Sequence, residues 1–366
     1  MLHVGGSPLP VVGRARMYVC GITPYDTTHL GHAATFVWAD VAARVLRHLG
    51  VDAEVCRNVT DVDDVLDAAA AERGAEPDSF AAVQQFRFDR DMTALGVRSP
   101  AHEPRAHTHV GQVVTLAAAL LESGAAYLRG GTVWFRGQGA LTRSGIGEAA
   151  AAALAAEFGQ EFGHPDAEHP ADVPVWRAAR LGEAAWPSPW GEGRPGWHAE
   201  CAAMALTTLG PALDLHVGGE DLRFPHHAYE AEMAEALTGV RPFARAWMHV
   251  GAVRLDGARM AKSTGNLVLV SDVLAKHPAA VLRLLLVDRP WARAWDFRPA
   301  DLDAAAARLD RLYAAGARGG AVGGSAATGA VTAALLTDLD VPAALDVAGE
   351  AGGDAARLAL SVLNLG

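Results

Sequence analysis

The sequence predicts an α/β fold built around a parallel sheet, and three observations within the first 60 residues carry that expectation. Residues 17–22 (MYVCGI) are a short apolar run suited to a buried strand. Residues 33–49 follow with Ala34, Val37, Val41 and Val45 near one helical face, and Gly50 ends the pattern. Residues 53–59 (AEVCRNV) read as a second strand. Strand, helix and strand at this spacing suggest a parallel unit, whose ligands bind at the carboxyl ends of the strands.

The remaining elements follow in order. Helical patterns recur at 78–95 and 109–123, and 124–136 resembles a hairpin turning at Gly130-Gly131. A helical stretch is expected around 146–158. The segment 159–196, rich in Pro, Gly, Trp and acidic residues, reads as irregular, so 124–196 forms an insertion. A helix over 198–208, a strand over 212–217 running into Gly218-Gly219, and a helix over 226–237 come next. Asp256-Gly257 marks a tight hairpin within 252–260. Beyond Trp295 the chain is Ala- and Leu-rich. Residues 316–329 have the composition of a flexible Gly-rich linker, and two short helices close the chain. The expected division is an α/β domain over 1–298 and a small helical C-terminal domain over 299–366.

Composition narrows the function classes. In 366 residues, 51% are hydrophobic and 20% charged, which supplies a core and excludes disorder for most of the chain. Thirty-one basic residues against forty-two acidic ones give a formal charge of −11, which argues against binding nucleic acid by charge alone. No apolar run reaches the roughly 18 residues of a membrane span, and no signal peptide is visible at the start. Three cysteines (Cys20, Cys56, Cys201) are too few and too odd in number for a disulfide framework. A cytoplasmic enzyme of a reducing compartment, without membrane contact, is the expectation. Of the basic residues only Lys262 and Lys276 are lysine. A lysine kept in a chain that otherwise uses arginine is a candidate for a task needing a compact point charge.

Two motifs suggest nucleotide chemistry. Thr28-His29-Leu30-Gly31-His32 sits between a strand and a helix. A helix start presents free N–H groups to phosphate, Gly31 allows close approach, and the two histidines can donate to a triphosphate. Alone, such histidines are more often capping or surface residues. Arg259-Met260-Ala261-Lys262-Ser263 follows the Asp256-Gly257 hairpin in a polar loop, where an ammonium could meet a phosphate in its transition state. Alone, this too could be a solvated loop. Cys20, Cys201 and His226 could form a metal site, but their spacing carries no metal signature, and from spacing alone buried free cysteines are the better reading. Cys56, within a strand, is read as buried and structural.

Taken together the motifs are specific. HLGH and RMAKS resemble the HIGH and KMSKS signatures of class I aminoacyl-tRNA synthetases, which bind ATP and form acyl adenylates. MYVCGITPYDTTHLGH, NVTDVDD (58–64), GRPGWHAECAAMAL (193–206), GGEDLRFPHH (218–227) and LDGARMAKSTGN (255–266) occur in the order of the cysteinyl-tRNA synthetase superfamily. CGITPYDTTHLGHAATF is most similar to its offshoot, the cysteine:glucosaminyl-inositol ligases of mycothiol biosynthesis. The resemblance covers roughly residues 8–300.

The resemblance implies a class I aminoacyl-tRNA synthetase-type, Rossmann-like catalytic domain. It implies Zn2+ held by Cys20, Cys201 and His226, with Glu230 where the tRNA enzymes carry a glutamate near zinc. It implies cysteine binding by Thr23, Thr60, Trp197 and Asp221, with Asp221 facing the ammonium. His29, His32 and Lys262 would be catalytic, with Gly31, Met260 and Ser263 completing an ATP site that also uses Mg2+. The expected reaction forms cysteinyl adenylate and passes cysteine to an amine acceptor, glucosaminyl-inositol. A paralogue using another small amine is the alternative. Charging of tRNA is disfavoured, because the tail after Asp303 is short and holds four arginines (Arg308, Arg311, Arg318, Arg357) and no lysine. A monomer is expected.

Overall fold

The computed structural model describes residues 1–25, 27–160, 162–260, 265–319 and 324–366. Its centre is a four-stranded sheet. From one edge to the other the strands are Ala244–Val250, Leu213–Gly219, Arg14–Ile22 and Asp52–Val59, and every neighbouring pair is parallel. The two inner strands are apolar because both faces are covered. Met17, Tyr18 and Val19 are buried in one, Leu215, His216 and Val217 in the other.

Chain order reverses between those inner strands. The first strand is followed by the helix Leu30–His48, which returns the chain to Asp52–Val59 on one side. Leu213–Gly219 is then laid on the other side. A crevice opens at such a reversal, at the carboxyl ends of the strands. Cys20, Thr23, Thr60 and Asp221 all lie at or just beyond those ends.

Helix Leu30–His48 owes its position to its start. His29 is the N-cap and its side chain accepts the Gly31 N–H, while Arg47 and His48 occupy the last turn, where cations complement the helix dipole. Its inner face, including Ala34, Val37, Val41 and Val45, is buried as the spacing predicts. Mid-helix Asp40 is buried too, paired with Arg44 and with the fully buried Arg283.

Three segments differ from the sequence expectation. The stretch 159–196 contains strands Val173–Ala178 and Gly193–Pro195, which extend the hairpin Ala126–Arg129 and Thr132–Phe135 into a four-stranded antiparallel sheet. Val175 and Trp176 pack into the core beneath it, and this tertiary burial outweighs the local Pro and Gly content. The described residues of the Gly-rich stretch 316–329 are largely helical: Ala300–Ala317 enters it from one side and Gly324–Leu336 from the other. Packing against Val341–Ala351 and Gly353–Leu363 supplies the stability that composition lacks, so three helices, not two, follow Ala300–Ala317 among the described residues. The chain also begins with an unanticipated hairpin, Leu2–Val4 with Ser7–Leu9.

One continuous apolar core runs from the parallel sheet into the C-terminal helices, including Leu302, Leu309, Leu345 and Leu363. Arg283 reinforces that junction by donating to the carbonyls of Leu95 and Leu363 as well as to Asp40. Among the described residues, no helix is long and apolar enough to cross a membrane.

Candidate active site

The site is assembled from the ends of the two inner strands and the starts of three helices. Cys20 lies near the end of Arg14–Ile22, Cys201 on the first turns of Trp197–Leu209, and His226 opens His226–Thr238. All three are buried, and one ligand atom from each lies within 4.8 Å of the others. Residues 181 positions apart in sequence thus converge because helices cover the carboxyl end of the sheet.

The local backbone is shaped for this convergence. A Cβ on Gly21 would lie 1.6 Å from the Asn58 carbonyl oxygen, so only glycine lets the two strands approach here. The Gly21 N–H donates to Asn58 Oδ1 (2.8 Å). The Asn58 amide then donates to Thr60 Oγ1 (3.1 Å) and to Cys201 Sγ (3.5 Å). Asn58, missed in the sequence, therefore ties the Thr60 loop to the cysteine pair. Its only signal was its place at the head of the NVTDVDD motif, at the end of the strand Asp52–Val59.

Electrostatics distinguish the three thiols. A hydrogen bond from Cys20 pulls the Cys201 thiol down to about 6, against burial and with help from His226. Burial, then the hydrogen bond with Cys201, pushes Cys20 well up. His226 is raised: burial opposes its charge, but Cys201 outweighs burial. Cys56 is pushed up to about 12 by burial and lies in the apolar cluster beneath the site, an inert thiol.

Two sulfurs and one imidazole nitrogen at this separation fit Zn2+, whose tetrahedral ligands stand roughly 3.5–4 Å apart. Cys20 also belongs to a second convergent set with His216, His227 and Glu230, all buried. His227 Nε2 lies 3.3 Å from Cys20 Sγ, and His216 Nε2 lies 3.0 Å from Glu230 Oε1. The histidines of this region form pairs: His198 with His226 (2.9 Å) and His227 with His249 (2.9 Å). Burial holds His198 and His227 well below the usual imidazole range and His249 at about 3, so these rings are neutral and can accept as well as donate. His216 sits where strand alternation predicts an apolar residue, so its chemistry was hidden in a strand pattern.

Of the residues expected to bind cysteine, Trp197 and Thr60 have links to Cys20, Cys201 and His226. The Trp197 ring stacks on His226, centroids 4.3 Å apart. Thr60 reaches Cys201 through Asn58. Thr23, three residues after Cys20, lies 3.5 Å from Asp63 Oδ2. Asp221, expected to face the ammonium, pairs with Arg259.

The first nucleotide motif packs against the segment that follows the second. Leu30 N–H donates to the Val268 carbonyl (3.0 Å), and Val270 N–H to Thr28 (3.0 Å). These bonds, with an isolated bridge between His29 and Leu269, stitch the first motif to the segment that leads into the helix Val270–Leu274. The His29 and His32 rings lie 4.0 Å apart. Burial, then His32 and Arg259, lowers His29 to about 2, so it is neutral. Its Nδ1 accepts from Gly31 (3.1 Å), which leaves the ring proton on Nε2 as a donor. Met260 is buried in the main apolar core. Lys262 and Ser263 lie outside the described residues.

Comparison with known proteins agrees with this geometry. Residues 10–307 match the family "tRNA synthetases class I (C) catalytic domain". The chain is 42% identical over 348 residues to the L-cysteine:1D-myo-inositol 2-amino-2-deoxy-alpha-D-glucopyranoside ligase of Parafrankia sp., covering 94% of this chain and 78% of that one. It is 40% identical over 308 residues to the cysteine–tRNA ligase of Geobacter metallireducens, covering 83% of this chain but 62% of that protein's length. Methionyl-tRNA synthetase of Mycobacterium tuberculosis, solved with methionyl-adenylate, shares the fold with a TM-score of 0.66 at 16% identity, over 97% of this chain and 82% of that one. The chain therefore belongs to the class I (C) tRNA synthetase catalytic-domain family.

Proposed function

We propose that this chain is an ATP-dependent, AMP-forming cysteine ligase that transfers cysteine to the amine of a glucosaminyl-inositol. The observation that carries the cysteine assignment is the buried convergence of Cys20, Cys201 and His226. These three hold Zn2+, which when bound supplies a soft cation for a substrate thiolate and a much poorer one for a serine hydroxyl. Trp197 walls the pocket beside His226, Thr23 and Thr60 line it, and Asp221 receives the ammonium.

The chain's residues then act on ATP. His29, through Nε2–H, and His32 donate to the triphosphate at the helix start, and Gly31 lets the phosphates approach the backbone. Met260 and Ser263 also contact ATP, as the resemblance implies, and Mg2+ accompanies the nucleotide. The cysteine carboxylate attacks the α-phosphorus and pyrophosphate leaves, its growing charge met by Lys262. In the second half-reaction the acceptor amine attacks the activated carbonyl. An amide bond forms, AMP departs and the amine loses a proton.

The small-amine acceptor is supported by the reach of the similarity. Matches to the glucopyranoside ligases extend over 92–94% of this chain, through the C-terminal helices, against 83% for the tRNA ligases. Three of the four tail arginines are also engaged internally: Arg308 with Asp288 and Asp346, Arg357 with Asp354, and Arg318 with the Gly349 carbonyl. A second reading, tRNA charging, is favoured by the comparable identity of those relatives, 40–43%. The deciding experiment is cysteine- and ATP-dependent AMP release with glucosaminyl-inositol, other small amines and tRNA as acceptors. Multiple turnovers with glucosaminyl-inositol alone support the proposal. Turnover with tRNA alone overturns it in favour of the second reading.

A further inference from the structure

Transfer of cysteine to an amine leaves one proton without a receiver, the one that the nitrogen gives up as the amide forms. Asp63 is placed to take it. It follows the strand Asp52–Val59 and Thr60, caps the helix Asp64–Glu72, and so stands at the carboxyl end of the sheet. Two bonds fix this stretch against the end of the inner strand Arg14–Ile22. Thr60 N–H donates to the Ile22 carbonyl (3.0 Å), and Gly21 N–H donates to Asn58 Oδ1 (2.8 Å). The two oxygens of Asp63 then have different surroundings. Oδ1 accepts the Val65 N–H (2.7 Å) and caps the helix. Oδ2 faces the hydroxyl of Thr23 (3.5 Å), on the wall assigned above to cysteine.

The neighbouring carboxylates are already engaged. Asp64 and Asp67 pair with Arg194, Asp64 also with Arg177, and Asp61 with Arg105 and His107. Among the described residues no basic side chain forms an ion pair with Asp63, and Arg194 acts on it only at longer range. The charged groups that face it are Asp64 on its own helix, Arg194 on the strand Gly193–Pro195, and Glu200 on the helix Trp197–Leu209. Burial raises the Asp63 carboxyl above its ordinary value, with help from Asp64 and against the Val65 N–H and Arg194. A raised carboxylate is a better proton acceptor, and the side chain is only half-buried, so the proton can leave for water afterwards.

We propose that Asp63 is the general base of the transfer step, with Oδ2 receiving the proton of the acceptor amine. The proposal rests on the reading of the acceptor as a small-molecule amine. The free-base amine attacks the carbonyl carbon of cysteinyl adenylate, and its nitrogen becomes positively charged as the N–C bond forms. Oδ2 removes a proton from that nitrogen. The carbonyl reforms, the C–O bond to the phosphate breaks, and AMP leaves with the electron pair.

The test separates the two half-reactions in the zinc-loaded full chain. Asp63→Asn keeps a side-chain oxygen that caps the helix but takes up no proton. Preformed cysteinyl adenylate on the protein is mixed with increasing glucosaminyl-inositol, and amide formation is followed in a single turnover. The rate at saturation should fall about a hundredfold in Asp63→Asn, and about tenfold or more beyond any fall in ATP–pyrophosphate exchange. A second arm uses hydroxylamine, a weakly basic amine whose nitrogen, once attached, gives its proton to water readily. There the variant should lose at least about tenfold less. A structural role alone would slow both amines alike. Equal losses with the two amines, a loss confined to the KM for the acceptor, or transfer within about twofold of wild type overturns the assignment to Asp63 and leaves the acceptor reading standing. If wild type makes no amide with any small amine and charges tRNA instead, the acceptor reading fails and the role of Asp63 falls with it.

Discussion

Replacing Gly31 with alanine separates the stability of the first helix from its chemistry. A Cβ at this position would lie 2.8 Å from His29 Cε1 and 3.0 Å from Nδ1. The backbone is fixed by its bonds to Val268 and Val270, so the imidazole is the part that moves. Moving it removes the N-cap hydrogen bond from Gly31, a loss of about 1 kcal/mol. Alanine regains about 0.8–1 kcal/mol of helix propensity over glycine. The two nearly cancel, so the melting temperature should change by less than about 3 °C. The chemistry has no such offset. A donor displaced by about 1 Å can lower a rate on the order of a hundredfold. ATP–pyrophosphate exchange with saturating cysteine should therefore fall between roughly tenfold and a hundredfold in Gly31→Ala. Exchange within about twofold of wild type would refute the placement of the His29 donor at the triphosphate. A large fall in melting temperature would instead mean that the cap dominates and that the offset is wrong.

Further expectations test other parts of the site. Freshly purified protein should contain about one zinc per chain by elemental analysis; Cys201→Ala should lose it while Cys56→Ala keeps it, and retention in Cys201→Ala would exclude the proposed ligand set. Lys262→Arg should slow single-turnover adenylate formation about a hundredfold, because a wide planar guanidinium cannot take the place of a compact ammonium. The same variant should change stability by less than about 0.5 kcal/mol, and an unchanged rate would make this lysine incidental. Stability should also decline as pH falls below 6.5, the ordinary value for His29, because the unfolded ring takes a proton that the folded ring refuses until about 2. In urea titrations the slope should be shallower by up to about 1.4 kcal/mol per pH unit in His29→Asn, which can still cap the helix; equal slopes would show that His29 is not the group responsible.

The parts of the fold that were legible in the sequence are those in which local pattern and tertiary role agree. The strand at Met17–Cys20 is buried on both faces and is apolar throughout, and the helix after His29 carries a cap, a stripe and a stop. The strand Val173–Ala178 was obscured because its reason for existing is non-local: it is a strand through pairing with Thr132–Phe135 and burial of Trp176. The Gly-rich stretch near 324 was misread for the same reason, since helix packing rather than propensity holds it. In the site, Cys20, Cys201 and His226 could be proposed only through ordered motifs, because their convergence depends on the sheet reversal. Asn58, His216 and His227 gave weaker signals. Each sits in a pattern that reads as strand or helix, and its partner is distant in sequence. The Arg259–Asp221 pair was invisible, because an arginine in a polar loop has no sequence feature that names its carboxylate.

The central claim is that the buried set Cys20, Cys201 and His226 makes this chain recognise a thiol. The most direct measurement is ATP–pyrophosphate exchange on the zinc-loaded protein with cysteine and with serine, compared as kcat/KM. The account predicts that serine falls far more than tenfold below cysteine, because the hydroxyl cannot replace the thiolate at the metal. Serine within about tenfold of cysteine, a difference of only ~1.4 kcal/mol, would contradict it.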